Sequence, residues 1–250
     1  MVIEEVFPNP TVKQVIFEIK FPSLFYIENK IGDLQLKVME LFPDSQLVYQ
    51  RQFVIVGKKI EEEVKTPSPE EFGKKIWVFK SEKNFQLDVT SQSLSISSSF
   101  HKTYCLEGGE KFRDIIQFVV DKFLATISIP TFNRIGLRYV DECPLPSRDN
   151  TTLKSYYNSV YPVDRFNIAN AKEMFFRTVE KRDDLNITYM EELRKVENDY
   201  KLILDFDGFA LKVPSNNYLE VTDRLHDLIS EIYEQSIKEP VYQYMRKENV

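Results

Sequence analysis

The feature that most constrains the fold is a pattern found in both halves of the chain. Several segments of alternating apolar and polar residues are followed by one long segment with apolar residues at helical spacing. Alternation with a period of two indicates half-buried strands, whereas apolar residues at intervals of three and four indicate one face of a helix. The long helical segments are residues 109–128 and 217–237. The pattern predicts an α+β protein with a curved, mainly antiparallel sheet and both long helices packed across one face.

Each half contains a comparable set of predicted elements. The first half comprises a strand at 12–21, a helix at 27–41, strands at 47–55, 76–80, 85–90 and 94–98, and the long helix at 109–128. The second half comprises a strand at 132–140, a short helix at 151–160, strands at 172–181, 186–192 and 199–207, the long helix at 217–237 and a final turn through 242–245. Charged residues and prolines predict a loop at 58–75 and a linker at 141–150. We expect residues 1–250 to form a single compact unit with two candidate pseudo-repeat halves, 1–145 and 150–250.

The composition argues against the commonest kinds of active site. The 250 residues include only seven glycines, two histidines and two cysteines. A phosphate-binding loop needs clustered glycines, a zinc site needs grouped cysteines and histidines, and a nucleophilic triad needs a histidine near its nucleophile. The chain contains no such motif, so we expect no cofactor and no metal site, and we assign no catalytic residue.

The charge and hydropathy of the chain also limit its partners. The formal net charge is -6, and an acidic surface is repelled by nucleic acids and by anionic membranes. No apolar run approaches the roughly 18 residues that indicate a membrane span, and the amino-terminal residues do not resemble a secretion signal. We therefore expect a cytoplasmic protein that binds neither nucleic acid nor membrane.

Five stretches of the chain resemble, in the same order, a sporadically distributed family of uncharacterised prokaryotic proteins of similar length. They are TVKQVIFEIKFP, IGDLQLKVMELFP, WVFKSEKNFQLDVTSQSLSI, FNRIGLRYVDE and LHDLISEIYEQSI. The most distinctive are the RIGLRYV strand and the carboxy-terminal helix with the pattern LHxxIxxIYExSI, which contains His226, Tyr233, Ser236 and Ile237. The resemblance implies a cytoplasmic α+β protein with patchy inheritance. It implies no activity, substrate or cofactor.

Two pairs of charged residues are the strongest candidates for a ligand site. Arg134 and Arg138 share one face of a predicted strand, and Asp205 and Asp207 share one face of another. Paired guanidiniums can bind a phosphate or carboxylate, and paired carboxylates can bind a cation or exchange protons. The alternative is that the arginines form ion pairs across the sheet with these aspartates or with Asp88. We favour the ion pairs.

The two histidines are weaker candidates. His226 has Asp223 and Asp227 close by in a predicted helix and could act as a general base, but no nucleophile lies at a suitable spacing. His101 follows a serine-rich strand, so that Ser97 or Ser99 could form a nucleophile-base pair with His101. We favour a packing role for both histidines.

Two functions from different classes follow from these observations. We expect a noncatalytic cytosolic protein that binds a protein partner or a small ligand, the latter in a cavity between the sheet and a helix. Patchy inheritance is compatible with a partner encoded in a neighbouring toxin or defence gene, and a homodimer is also compatible. The alternative is a hydrolase or transferase that acts on a phosphorylated or carboxylated substrate through Arg134, Arg138, Asp205 and Asp207.

Overall fold

A nine-stranded sheet organises the protein. The structure, a computed structural model, describes residues 5–51, 73–196 and 199–247. The strands are β1 (Val12–Lys20), β2 (Asp44–Arg51), β3 (Gly73–Lys80), β4 (Phe85–Val89), β5 (Ser93–Ser98), β6 (Thr131–Pro144), β7 (Phe175–Arg182), β8 (Leu185–Val196) and β9 (Asp199–Pro214). They lie in the order β2-β3-β4-β5-β1-β6-β9-β8-β7, with antiparallel pairing throughout. The predicted α+β class with a mainly antiparallel sheet is confirmed.

Five α-helices accompany the sheet in the described residues. They are α1 (Ile31–Val38), α2 (Phe112–Leu124), α3 (Asn150–Tyr156), α4 (Tyr218–Ser236) and α5 (Glu239–Arg246). Helices α2 and α4 occupy the two long segments that have apolar residues at helical spacing. Pro240 lies in the first turn of α5, where a backbone N–H would have no partner within the helix, so its absence costs no hydrogen bond. None of the helices that the structure describes has the length and apolar character needed to cross a membrane.

The order of elements is the same in two consecutive parts of the chain. The first part runs β1, α1, the meander β2 to β5, then α2; the second runs β6, α3, the meander β7 to β9, then α4. In each part the last strand of the meander pairs with the first strand, and β1 and β6 join the parts at the centre of the sheet. This order puts β6 in the second part, whereas the proposed halves 1–145 and 150–250 put it in the first. Duplication itself stays a prediction.

The predicted linker at 141–150 is partly a strand. β6 continues to Pro144, and both Asp141 and Cys143 are buried, so the alternation that begins with Ile135 extends through them. The proline falls at the end of the strand, where a missing backbone N–H is tolerated. The predicted strand at 47–55 and the predicted loop at 58–75 are only partly within the described residues, which omit 52–72.

The helix predicted at 27–41 is divided in the structure. A 3-10 turn covers Ile27–Asn29, and α1 follows after Lys30. Of the apolar positions that suggested one helix, Ile27, Ile31, Leu34 and Val38 are buried, whereas Leu41 lies beyond the end of α1 and packs partly buried against the core. The division therefore changes the backbone geometry without changing which side chains enter the core.

Close packing of α4 on the sheet depends on a glycine of β9. A Cβ atom at Gly208 would lie 3.2 Å from Ile229 Cδ1 and 3.4 Å from Leu225 Cδ2. Both apolar side chains are buried on α4. Any side chain at Gly208 would therefore push α4 away from β9 or displace these neighbours.

We expect Gly208→Val to lower the free energy of unfolding by about 2 kcal/mol, because the added methyl groups overfill the contact with α4. The measurement is urea unfolding followed by circular dichroism. Gly32→Ala is the matched control: it lies in α1 with open space around its Cβ position, and a helical Gly to Ala change should stabilise by about 0.5–1 kcal/mol. A Gly208→Val variant as stable as the parent would contradict the packing described.

Candidate ligand-binding site

The four charged residues singled out in the sequence pair with one another on one face of the sheet. Arg138 donates to both carboxylate oxygens of Asp205, with N···O distances of 2.8 and 2.5 Å. Arg134 donates from Nη2 to Asp207 at 2.6 and 2.8 Å, and from Nη1 to Glu18 of β1 at 3.0 Å. The structure thus brings together both predicted pairs across β6 and β9, and adds Glu18.

The guanidinium of Arg134 lies directly over a glycine of its own strand. A Cβ atom at Gly136 would be 2.1 Å from Arg134 Nη1, and the guanidinium carbon is 4.8 Å from the centre of the Phe209 ring. The missing side chain at Gly136 therefore provides the space in which Arg134 reaches its carboxylates. Asp88, the other partner considered for the arginines, accepts hydrogen bonds from Gln86.

We expect Arg138→Ala to lower the free energy of unfolding by about 2 kcal/mol, because it leaves Asp205, with a side chain only 7% exposed, without its cation. Arg224→Ala is the control: Arg224 pairs with Asp184 where both side chains are largely exposed, and its loss should change stability by less than about 1 kcal/mol. Thermal and urea unfolding of both variants measure the difference. Equal losses of stability in Arg138→Ala and Arg224→Ala would argue that the ion pair of Arg138 with Asp205 is not structural.

A cavity of about 160 Å³ lies elsewhere, and none of these four residues lines it. Its walls come from residues 5–12, the loop 101–106, strands β1, β6 and β9, and helices α2, α4 and α5. Along β6, Tyr139 and Asp141 line the cavity, and they alternate with Arg138, which points to the opposite face of the sheet. The cavity and the ion pairs therefore occupy opposite faces.

A β-bulge in β1 shapes one wall of the cavity. The pairing of β1 with β6 shifts register between Val12 and Gln14, so that one residue, Lys13, is extra on β1. Val12 and Val15 both line the cavity, although regular alternation would put residues three positions apart on opposite faces. The bulge is thus the local irregularity that turns the start of β1, next to Thr11, toward the cavity.

Asp141 is the buried carboxylate of the cavity wall, only 5% exposed. Thr11 Oγ1 donates to Asp141 Oδ1 at 2.8 Å, and Tyr233 Oη lies 2.6 Å from the same hydroxyl oxygen. Because the Thr11 hydrogen is directed to the carboxylate, Tyr233 donates to Thr11. Within the described part of the chain no cation forms an ion pair with Asp141, and burial raises the pKa of this carboxyl to about 7.

His226 on α4 contributes a second polar group to the wall. Its Nδ1 lies 3.0 Å from Tyr139 Oη, and its ring stacks on Tyr104 with a centroid distance of 4.2 Å. Burial lowers the pKa of the imidazole to about 4, so that His226 is neutral near pH 7. Asp223, considered above as a partner of His226, instead accepts hydrogen bonds from Tyr104 and Arg113.

His101 presents an unpartnered donor. Ser98 Oγ accepts hydrogen bonds from two backbone N–H groups, those of Phe100 and His101, so its own hydrogen is directed to His101 Nδ1 at 2.7 Å. Burial lowers the pKa of His101 to about 4, and the neutral ring then carries its hydrogen on Nε2. That nitrogen is buried and has no hydrogen-bond partner among the described residues. The histidine lines the cavity.

The arrangement suits binding better than covalent chemistry. Ser230 Oγ is 3.5 Å from His226 Nε2, which is too long for an activated nucleophile, and a histidine with a pKa near 4 is a weak base. Burial raises the pKa of the Cys105 thiol, which disfavours the reactive thiolate. Among the residues that the structure describes, no group of three or more His, Cys, Asp or Glu side chains could hold a metal ion.

No family model, curated protein or solved structure matches the chain. Membership of the sporadically distributed family suggested by the RIGLRYV and LHxxIxxIYExSI segments therefore stays a proposal. The function has to be derived from the cavity itself.

Sequence reasoning missed Asp141 because it assigned the residue to a linker. The usable signal was the alternation of Ile135, Leu137 and Tyr139, which continues through Asp141 to Cys143. A carboxylate at a position where that pattern predicts an apolar residue is a typical sign of a functional site. No pattern in the sequence around Thr11 indicated that its hydroxyl would donate a hydrogen bond to Asp141.

We expect the free energy of unfolding of the parent to fall relative to that of Asp141→Asn as the pH rises from 4 to 8. The folded state keeps a proton on Asp141 up to about pH 7, whereas the unfolded chain releases it near pH 4, so charging Asp141 favours unfolding. The parent and Asp141→Asn should be similarly stable at pH 4, and Asp141→Asn should be more stable by about 4 kcal/mol at pH 8. Thermal unfolding at both pH values measures this. A stability difference between the parent and Asp141→Asn that is the same at both pH values would contradict the raised pKa.

Proposed function

We propose that the protein works without catalysis, by binding a small ligand in the cavity bounded by β6, β9 and α4. The observation that carries the proposal is a cavity of about 160 Å³ whose wall combines aromatic rings with a few buried polar groups. Ligand sites typically have this composition, and a cavity of about 150 Å³ in another protein holds benzene. The ligand is therefore a molecule, or part of one, of about the size of a single ring.

Two buried polar groups support a role in recognition. Asp141 lacks a cation, and His101 Nε2 lacks an acceptor, within the described residues. Buried polar groups are usually hydrogen-bonded, because leaving them unpaired costs about 1–3 kcal/mol each. A ligand acceptor would satisfy His101 Nε2, and a cationic ligand group would give Asp141 a direct charge partner in addition to the hydrogen bond that it accepts from Thr11.

We further propose that α2 and α4 cover the same face of a curved sheet. Arg113 of α2 donates to Asp223 of α4 at 2.8 Å, and Tyr218 of α4 donates to Asp121 of α2 at 2.8 Å. Residues of β1, β6 and β9 that line the cavity share it with residues of both helices. In this arrangement the loop that leads from β5 to α2 forms one side of the cavity, and α4 forms another.

The hydrolase or transferase alternative receives less support. It requires Arg134, Arg138, Asp205 and Asp207 to face a substrate, but their donors and acceptors are engaged with one another and with Glu18, away from the cavity. A cytoplasmic location belongs to the proposal through the sequence patterns and the family resemblance, and a partner encoded in a neighbouring toxin or defence gene belongs to it through the family resemblance alone.

Benzyl alcohol is a suitable neutral probe for the cavity. We expect it to cause saturable shifts of backbone amide signals around Tyr139, His226 and Ser230 in a ¹⁵N-labelled sample, with a dissociation constant of about 1 mM or below. Ser230→Leu places three additional carbon atoms at the cavity wall and should weaken binding at least about tenfold.

Gln235→Leu is the matched control for this experiment. Gln235 is exposed on the same helix and does not line the cavity, so the variant should bind benzyl alcohol as the parent does. The proposal fails if the parent shows no saturable binding, or if Ser230→Leu and Gln235→Leu bind equally well.

A further inference from the structure

The charged side chains around the cavity favour a ligand with a positive charge. Among the residues that the structure describes, three carboxylates line it, those of Glu5, Asp141 and Asp227, against one ammonium, that of Lys102. Glu5 is paired with Arg246, and Lys102 donates to the backbone carbonyl of Pro8 at 3.0 Å. In the described part of the chain, the two remaining carboxylates form no ion pair, and both histidines are neutral because burial lowers their pKa values to about 4.

Aromatic rings lie near Asp141, which is the buried one of these two carboxylates. Tyr139 precedes Asp141 by two residues on the same face of β6, and Tyr233 reaches it through Thr11. The Tyr233 ring packs edge to face on Phe206, with centroids 6.0 Å apart, and Phe206 also lines the cavity. The faces of aromatic rings attract cations, so the rings and the carboxylate would act on the same charge.

A metal ion would not satisfy these groups well. Calcium requires six to eight oxygen ligands, and magnesium requires a near-ideal octahedron. In the described residues, the Asp141 carboxylate is joined by the Thr11 hydroxyl, and by the Tyr233 hydroxyl only through Thr11. An organic ammonium needs fewer ligands and brings apolar carbon atoms that the aromatic walls can bury. The groups around Asp141 therefore favour an organic ammonium over a metal ion.

We propose that the ligand is a small organic cation, a protonated amine with an apolar group of about the size of one ring, whose ammonium lies against Asp141 and whose apolar part lies against the aromatic wall. This inference rests on the proposed function and specifies the ligand class of the same site. Binding would supply a direct ion-pair partner, which Asp141 lacks among the described residues, where the charge of Lys13 acts on it without forming an ion pair.

Three probes that share one ring but differ in charge test the inference. Benzylamine, benzyl alcohol and benzoate are titrated calorimetrically at pH 8, where Asp141 is mostly ionised and the amine is mostly protonated. We expect benzylamine to bind at least about tenfold more tightly than benzyl alcohol, and benzoate to show no saturable binding. Asp141→Asn should reduce the affinity for benzylamine to that for benzyl alcohol and leave the alcohol within about twofold of its parent value.

Asp227→Asn is the matched control, because it removes an exposed carboxylate of the same cavity and should change benzylamine affinity by less than about threefold. A larger loss in Asp227→Asn than in Asp141→Asn would overturn the assignment of the ammonium to Asp141. If Asp141→Asn does not fold, the comparison of benzylamine with benzyl alcohol on the parent chain decides alone.

The inference and the proposed function fail in different ways. Benzyl alcohol binding as tightly as benzylamine, with both blocked by Ser230→Leu, would overturn the organic cation and leave the ligand cavity intact. Absence of saturable binding by all three probes would overturn both.

Discussion

The register between β1 and β6 is the constraint on which the rest of the structure depends. The two strands pair from Lys20 with Arg134 to Val12 with Asp141, and they join the two parts of the chain at the centre of the sheet. Alternation along β6 then determines that Arg134 lies on one face and Asp141 on the other. A shift of one residue would move the whole set of apolar side chains to the opposite face, so burial of the core enforces this register strongly. Both the ion pairs and the cavity follow from it.

The charged side chains on the two faces of β6 differ in how well they are paired. Arg134 finds two carboxylates and a glycine that leaves room for its guanidinium, so its burial is compensated within the chain. Asp141 accepts a hydrogen bond from the Thr11 hydroxyl but forms no ion pair among the described residues, so its burial is only partly compensated. Proteins tolerate such unfavourable placements mainly where function requires them. This contrast, more than the presence of a cavity, distinguishes the face that holds the proposed ligand site from the face that holds the ion pairs.

Local patterns predicted the elements well but not the site. Helices α2 and α4 could be predicted because their apolar spacing persists over many residues, and the pairing of Arg138 with Asp205 was anticipated because alternation puts charged residues on a common face. The end of β6 was missed because prolines and charges there resemble a linker. The bulge near Lys13 and the contact of Thr11 with Asp141 join residues distant in sequence, and no periodicity in one segment encodes them. Such features depend on tertiary packing.

The cavity joins residues from opposite ends of the described chain. Asn9 donates its backbone N–H to the carbonyl of Met245 at 3.1 Å, and Thr11 contacts the sulfur of a residue 234 positions later. During synthesis on the ribosome, α5 emerges long after β1, so the part of the cavity wall that Met245 provides forms only when α5 docks. A nascent or truncated polypeptide that lacks α5 would retain much of the sheet but present an open, incomplete pocket. Binding at the proposed site would therefore depend on residues from both ends of the described chain.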